Sequence, residues 1–282
     1  MIGALIIVFR EVIEAGLIIG IVLAVTQGVG GRSRAVSLGL IGGLAGASLV
    51  AIFAGAISQA LAGVGQELFN AAILAVAVVM LAWHNVWMAR HGRVLAQEMR
   101  AVGQAVASGA KTLAALSVVI GIAVLREGSE VALFLYGIVV SGGGTALELL
   151  AGGLLGLALG SLVSVATWRG LVKIPAKTLF QVTGVLIAVM AAGMAAQCAA
   201  FLERANVLTF LDQTIWDTSR WLSEKSVPGR VLHTLLGYTD QPSVMQVLVY
   251  IVSLIVILGL MRIFRSRALQ TGAAAALKVR PS

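Results

Sequence analysis

Apolar residues fill long, nearly unbroken blocks of this chain, separated by short segments that hold most of its arginines, lysines and turn residues. A helix needs about 20 residues to cross the hydrocarbon of a bilayer. Seven blocks reach that length, approximately Ile2 to Thr26, Val36 to Ala62, Leu68 to Ala89, Leu113 to Val140, Leu149 to Trp168, Thr178 to Leu202 and Val244 to Phe264. Each is read as a transmembrane helix. The first is read as a retained span, because no Lys or Arg precedes its apolar run and its middle is charged, unlike a cleaved signal peptide.

Composition agrees with this pattern and narrows it. The chain is 59% hydrophobic and 11% charged, with a mean hydropathy of +1.00, more apolar than a soluble domain can hide in one core. The net charge of +8 does not indicate a nucleic-acid binder, because the basic residues lie between the spans rather than on one soluble face. They act as topology signals instead. Fourteen fall after spans one, three, five and seven, whereas four, Arg204, Arg220, Lys225 and Arg230, fall in one loop on the other side. The positive-inside rule then sets the N-terminus outside and the C-terminus in the cytoplasm. Seven acidic residues lie on the outer side and only Glu98 on the inner, a bias that attracts cations to the outer face. The single cysteine, Cys198, excludes an internal disulfide and a zinc framework.

The remaining charges lie inside the apolar blocks, and they come twice. Arg10-Glu-Val-Ile-Glu14 in span one returns as Arg126-Glu-Gly-Ser-Glu130 in span four. A second echo joins spans two and five, where Gly43 to Val50 and Gly156 to Val163 share six of eight residues. The two motifs enter the bilayer with opposite polarity. The pattern predicts an all-α integral membrane protein of two inverted three-helix repeats plus a seventh helix, a plan that sets a substrate site at the midplane. The expected division is repeat one at about 1–90, repeat two at about 113–202, an outer loop at 203–243, the seventh helix at 244–264 and a cytoplasmic tail at 265–282.

On a helix, Arg10, Glu11 and Glu14 share an arc of about 100°. Three central charges cost roughly 8 to 10 kcal/mol of insertion, while the 15 Val, Ile, Leu and Phe residues of span one return roughly 5 to 9. Span one is therefore marginal alone, and its polar face needs a partner. Span four carries the matching face, so the two together offer four carboxylates and two guanidiniums. One Arg-x-x-x-Glu pair is explained by an intrahelical salt bridge. Two arginines facing four glutamates leave carboxylates in excess, which is what a transported cation requires. Carboxylates without thiolates select hard ions, with Fe(III), Mn(II), Fe(II) and Ca(II) as candidates. Glu11, Glu14, Glu127 and Glu130 are the candidate metal ligands, and Arg10 and Arg126 support them by limiting the charge of the empty cage.

In these motifs the sequence resembles the oxidase-dependent iron permeases of fungal plasma membranes and bacterial inner membranes. That family carries Arg-Glu-x-x-Glu in the first and fourth of seven helices. Here the motifs stand as Phe9 to Ala24 and Leu125 to Gly137, and further likeness in Val86 to Arg93, Trp216 to Ser219 and Gly237 to Tyr250 extends it over essentially the whole chain. Val12 stands where the family often has glycine. The resemblance implies uptake of Fe(III) delivered by a partner ferroxidase on the outer side, through the four glutamates, in a multi-pass protein of the cytoplasmic membrane, with the outer loop as the dock for that ferroxidase or for an extracytoplasmic iron-binding protein. Alternatives are permeation of another metal such as lead or manganese, or proton-coupled transport of an organic solute. The protein is read as a transporter rather than an enzyme, without cofactor or nucleic-acid partner, and no GxxxxGK[ST] motif occurs.

Other polar and small residues receive simpler readings. Gly39 and Gly43, and Gly152, Gly156 and Gly160, form ridges for close helix packing. His84 and His91 are read as polar packing or headgroup contacts, and Met80, Met190, Met194 and Cys198 as core filling. Residues 90–111 look amphipathic and are expected to lie as a helix on the cytoplasmic surface. In the outer loop, Trp216 and Trp221 are expected at the membrane interface. Asp212, Asp217, Glu224 and Asp240 are expected to cap short helices in a solvated loop; the alternative is that they hand iron toward the pore.

Overall fold

The computed structural model describes residues 1–60, 65–142, 144–169 and 176–278. Its helices are α1 (Ile2–Val25), α2 (Arg32–Ala60), α3 (Gln66–Ala107), α4 (Leu113–Val140), α5 (Ala146–Trp168), α6 (Ala176–Arg204), α7 (Val227–Leu236) and α8 (Val244–Lys278). Each apolar block is helical over its described residues, apart from Thr26, which caps α1. Local chemistry sets several of the starts. Thr112 caps α4 by accepting from the Ala115 N–H, and Thr145 with Glu148 forms a reciprocal capping box on α5.

Two helices outrun the sequence-based expectation. The amphipathic segment after residue 90 is not a separate surface helix but an unbroken continuation of α3, which reaches 42 residues. Its end packs beside the end of α1, where Val106 joins Val22, Ala35 and Leu116 in a small core. The segment expected as a tail from residue 265 continues α8 to Lys278. Neither extension is apolar enough to appear as a span, yet nothing in either sequence stops a helix.

Among the described residues, five stretches are long and apolar enough to cross a membrane: Arg32–Phe53, Gln66–Met88, Ala146–Trp168, Gln181–Arg204 and Val244–Phe264. Large apolar side chains on α2, α5 and α8, among them Leu44, Ile52, Leu150, Leu162 and Ile255, point outward. A soluble protein would hide them; lipid has no such requirement. The helices α1 and α4 are as long, but each carries an arginine and two glutamates near its middle.

The packing is duplicated. The helix α2 lies along α4, α5 lies along α1, and α3 crosses to α6. A methyl group added at Gly43 would fall 2.6 Å from Val124 Cβ and 2.7 Å from Gly121 O, so α2 reaches α4 only because that position is bare. At Gly156 the same addition would fall 2.6 Å from Leu5 O and 3.0 Å from Val8 Cβ. Gly121 and Leu5, like Val124 and Val8, are separated by the 116 residues that separate the two charged motifs. The correspondence continues along both seams, because Gly39 abuts Ser117 and Ile120 while Gly152 abuts Met1 and Ala4. The small-residue ridges are thus the surfaces on which each motif helix is held. Such seams gain dispersion contacts from close backbone approach, the force available where water is absent.

Directions follow from the same contacts. Successive α5 glycines meet successive residues of α1, so these two run parallel. Gly3 lies beside Ile138 at the end of α4, and Gly31, just past α1, lies beside Leu113 at the start of α4. The helices α1 and α4 are therefore antiparallel. The buried core between them and the α3–α6 pair contains Ile7, Leu74, Leu81, Phe134, Ile138 and Ile187.

The loop after α6 is folded over the end of the bundle that bears the N-terminus. Thr214 pairs with Ser243 in an isolated antiparallel bridge, and α7, capped by Ser226, ends at Gly237. Gly237 packs directly on Gly193 of α6, where an added methyl on Gly193 would fall 2.6 Å from the Gly237 Cα. Buried His233 ties α7 to α4, with Nε2 2.8 Å from Ser141 O and Nδ1 2.9 Å from Tyr238 O.

Candidate metal centre

The charged motifs meet at the centre of the bundle because α1 and α4 cross there, antiparallel, with α3 against both. On α1, one turn separates Arg10 from Glu14, and Arg10 Nε lies 2.9 Å from Glu14 Oε1 and Nη1 lies 3.5 Å from Glu11 Oε1. On α4, Arg126 Nε lies 3.4 Å from both Glu127 Oε1 and Glu130 Oε1. The i,i+4 spacing of the two Arg–Glu pairs makes both contacts local consequences of helix geometry.

The link between the motifs is a residue from a third helix. His84 of α3 directs Nε2 toward Glu11 Oε2 at 3.8 Å and Glu14 Oε2 at 3.5 Å, while its Nδ1 contacts Glu130 Oε2. The imidazole is 4% exposed. It therefore stands between carboxylates contributed by α1 and α4, inside the bundle, and not at a headgroup. Glu11, His84, Glu127 and Glu130 each offer a ligand atom, and all four atoms lie within 4.8 Å of one another. The structure thus gathers all six residues singled out from the sequence and adds a seventh. Glu14 stands at the edge of the group, engaged by Arg10.

Much of this polar surface lacks aligned hydrogen bonds. Both carboxylate oxygens of Glu11 and of Glu14, Oε2 of Glu127 and of Glu130, and Nε2 of His84 are buried without such a partner. Buried acceptors are ordinarily satisfied, and an unsatisfied one costs about 1 to 3 kcal/mol, more when charged. Converging on one point and held by ion pairs within the group, these oxygens make an acidic cluster of the kind into which a cation exchanges.

The two arginines occupy opposite sides of the group. Each precedes its glutamates, and the helices are antiparallel, so Arg10 lies toward the N-terminal end of the bundle and Arg126 toward the other. Arg10 is sealed. Arg126 is one-third exposed, sits 4.4 Å over the ring of Trp87, and places Nη2 3.9 Å from Met88 Sδ. Trp87 and Met88 follow His84 by one turn of α3, so one helix face supplies both the bridging imidazole and the platform for Arg126.

The remaining expectations divide. Met190 and Met194 are buried in the apolar core, Met80 packs against it, and Cys198 Sγ donates to Ala71 O at 3.2 Å, all as core filling. The side chain of His91 lies outside the described residues. In the loop, Asp217 accepts from the Ser219 hydroxyl at 2.6 Å and from its N–H at 2.9 Å, which holds its carboxyl below the usual carboxylate range. Asp240 Oδ2 accepts from the Glu224 N–H at 3.1 Å, and Glu224 Oε1 lies 3.2 Å from His233 Nδ1. These acids brace the loop; the cap of α7 is Ser226. Trp221 is 92% exposed and Trp216 43%.

The sequence-based reading missed the position of His84. The available signal was its place five residues inside the expected end of span three, an ionisable group within an apolar helix, which is a functional candidate by default. The helix continues beyond that point, so His84 lies deeper than the apolar run alone implied.

Comparison with known proteins identifies the family of the chain. Residues 1–274 match the iron permease FTR1 family. The protein named "Ferrous iron permease EfeU" from Escherichia coli O6:H1 (strain CFT073) is 31% identical over 256 residues, covering 88% of this chain and 91% of its own. The protein of that name from Yersinia pestis is 29% identical over 278 residues, 98% of each chain. No solved structure matches the chain. The chain therefore belongs to the iron permease FTR1 family, as a multi-pass inner-membrane protein of iron transport.

Proposed function

We propose that the protein carries iron inward through a cage built from both charged motifs, with Glu11, Glu14, Glu127 and Glu130 as its ligands and Arg10 and Arg126 as internal counter-charges. The supporting observation is the convergence of the two motifs with buried carboxylate oxygens that lack aligned hydrogen bonds. In this reading α1 to α6 and α8 are the seven spans. The matched contacts along the α2–α4 and α1–α5 seams support two inverted repeats, and the distribution of basic residues supports an N-terminus outside. Inward movement of two or three positive charges through 100 mV supplies roughly 5 to 7 kcal/mol, enough to concentrate iron without a nucleotide.

Two oxidation states are distinguished by different observations. The four carboxylates of the two motifs and the acidic outer loop favour Fe(III) presented by a partner oxidase. The relatives from E. coli and Yersinia pestis bear the name ferrous iron permease, which favours Fe(II). The test is uptake of radioactive iron, kept reduced by ascorbate or supplied oxidised as a citrate complex, alongside the amount of protein in the membrane. Glu→Gln at residues 11, 127 and 130 is expected to lower uptake at least about 100-fold at unchanged membrane level, since even supporting residues around a metal cost 10 to 100-fold. Uptake that survives these substitutions, or that falls only in step with protein abundance, contradicts the proposal.

A further inference from the structure

We infer that His84 is a direct ligand of the transported ion and the residue that tunes the cage to a borderline divalent transition-metal cation, Fe(II) in the iron reading. The inference rests on the permease reading above and narrows its cargo. His84 belongs to neither motif, yet its imidazole contacts carboxylates of both. Its Nε2 is buried, has no aligned hydrogen bond and faces the carboxylates of α1. A side chain placed there only to fill space would have no need of two ring nitrogens among three glutamates.

The geometry is close to that of a bound ion. Donors about 2.1 Å from a first-row metal are at most about 4.2 Å apart. The four candidate donor atoms lie within 4.8 Å, so a contraction of roughly half an ångström closes the cage. Side-chain rotation within the cluster supplies that movement without a change of fold.

Ligand chemistry and charge both select the ion. Imidazole binds iron, zinc, copper and nickel well, whereas calcium and magnesium prefer oxygen alone; Mn(II) also enters mixed nitrogen–oxygen sites, as the weakest binder of the first-row series. A ligating imidazole is neutral, so four glutamates and two arginines leave a formal charge of −2 in the cluster. A divalent ion cancels that charge; Fe(III) leaves an excess positive charge in a medium of low dielectric, where uncompensated charge is costly. The hardness of the glutamates alone would not discriminate Fe(II) from calcium. His84 adds the discrimination.

The test uses the purified full-length protein and cells expressing it. With Mn(II) as a paramagnetic probe, pulsed electron paramagnetic resonance of wild type is expected to show nitrogen modulation from one directly bound imidazole, absent in His84→Gln. In cells, Fe(II) uptake by wild type is expected to be inhibited by Co(II) and to ignore excess Ca(II). His84→Gln, which offers an oxygen in place of the ring nitrogen, is expected to weaken Fe(II) about 10 to 100-fold and to lower the Co(II)-to-Ca(II) preference at least tenfold. Bound Mn(II) without nitrogen coupling in wild type overturns the inference, as does an unchanged preference ratio in a well-expressed variant. Should His84→Gln fail to reach the membrane, the wild-type nitrogen signal decides alone. Mn(II) binding that Glu127→Gln removes, without nitrogen coupling, refutes the role of His84 but leaves the cage intact; absence of any bound ion refutes both.

Discussion

The two copies of the charged motif carry the same arginine and glutamates at the same spacing and are unequal in surroundings. The α1 copy is sealed: the side chains of Arg10 and Glu14 are 3% and 2% exposed. The α4 copy is looser, with Arg126 and Glu130 at 33% and 15%. Both motif helices rest on equivalent glycine seams, so the inequality does not come from the repeat. It comes from α3, which offers an imidazole to both motifs but an indole and a thioether only to Arg126. It comes also from the loop after α6, whose helix α7 closes over the α1 end beside Gly3. The two motifs supply carboxylates symmetrically, and the parts outside them decide which side of the cluster is shut.

The arginines give the largest test of that difference. Removing Arg10 strands a fully buried carboxylate, a class of change that costs about 3 to 5 kcal/mol. Arg126 is itself one-third exposed, so water can take its place beside Glu130 and the buried Glu127, and its removal, with the loss of one cation–π contact, costs about 1 to 2 kcal/mol. Thermal unfolding in detergent should therefore drop far more for Arg10→Ala than for Arg126→Ala; equal losses would erase the distinction.

The seams give a test of equality. Gly43→Leu and Gly156→Leu force the same kind of overlap at matched positions, at about 1 to 3 kcal/mol each if the helices yield. The two variants should lose thermal stability and membrane abundance to similar extents. A large disparity would mean that the matched contacts do not bear matched loads.

The smallest effect concerns Trp87. Trp87→Leu should cost about 0.5 to 1 kcal/mol, and that cost should vanish when Arg126 is already alanine, because the contact is lost once only. A cost that persists in the Arg126→Ala background would assign Trp87 a packing role instead.

Much of this was legible from residues alone, for physical reasons. Lipid forces about 20 apolar residues per span, so α1, α4 and α5 could be drawn closely, and α4 ends where the sequence set it, at Leu113 and Val140. Excess carboxylates inside apolar helices need a partner, so Glu11 and Glu127 pointed to each other across 116 residues. What was not legible depends on depth and on docking. The apolar run of α3 fades near Ala89 while the helix continues to Ala107, and that continuation moved His84 from the expected rim to the centre. The extension of α8 carries no apolar signal. The placement of α7 depends on His233 reaching the Ser141 carbonyl, a contact between residues 92 apart with no local signature. The exposure of Arg126 is likewise a property of its neighbours on α3, and no feature of its own motif encodes it.

The central claim is that two antiparallel helices hold a single ion between them. Equilibrium binding of Fe(II) to the purified protein under reducing conditions, compared among wild type, Glu11→Gln and Glu127→Gln, tests it most directly. One ion per chain, weakened at least about tenfold by either substitution, is the predicted result. Two independent ions per chain, each sensitive to only one of the substitutions, would contradict it.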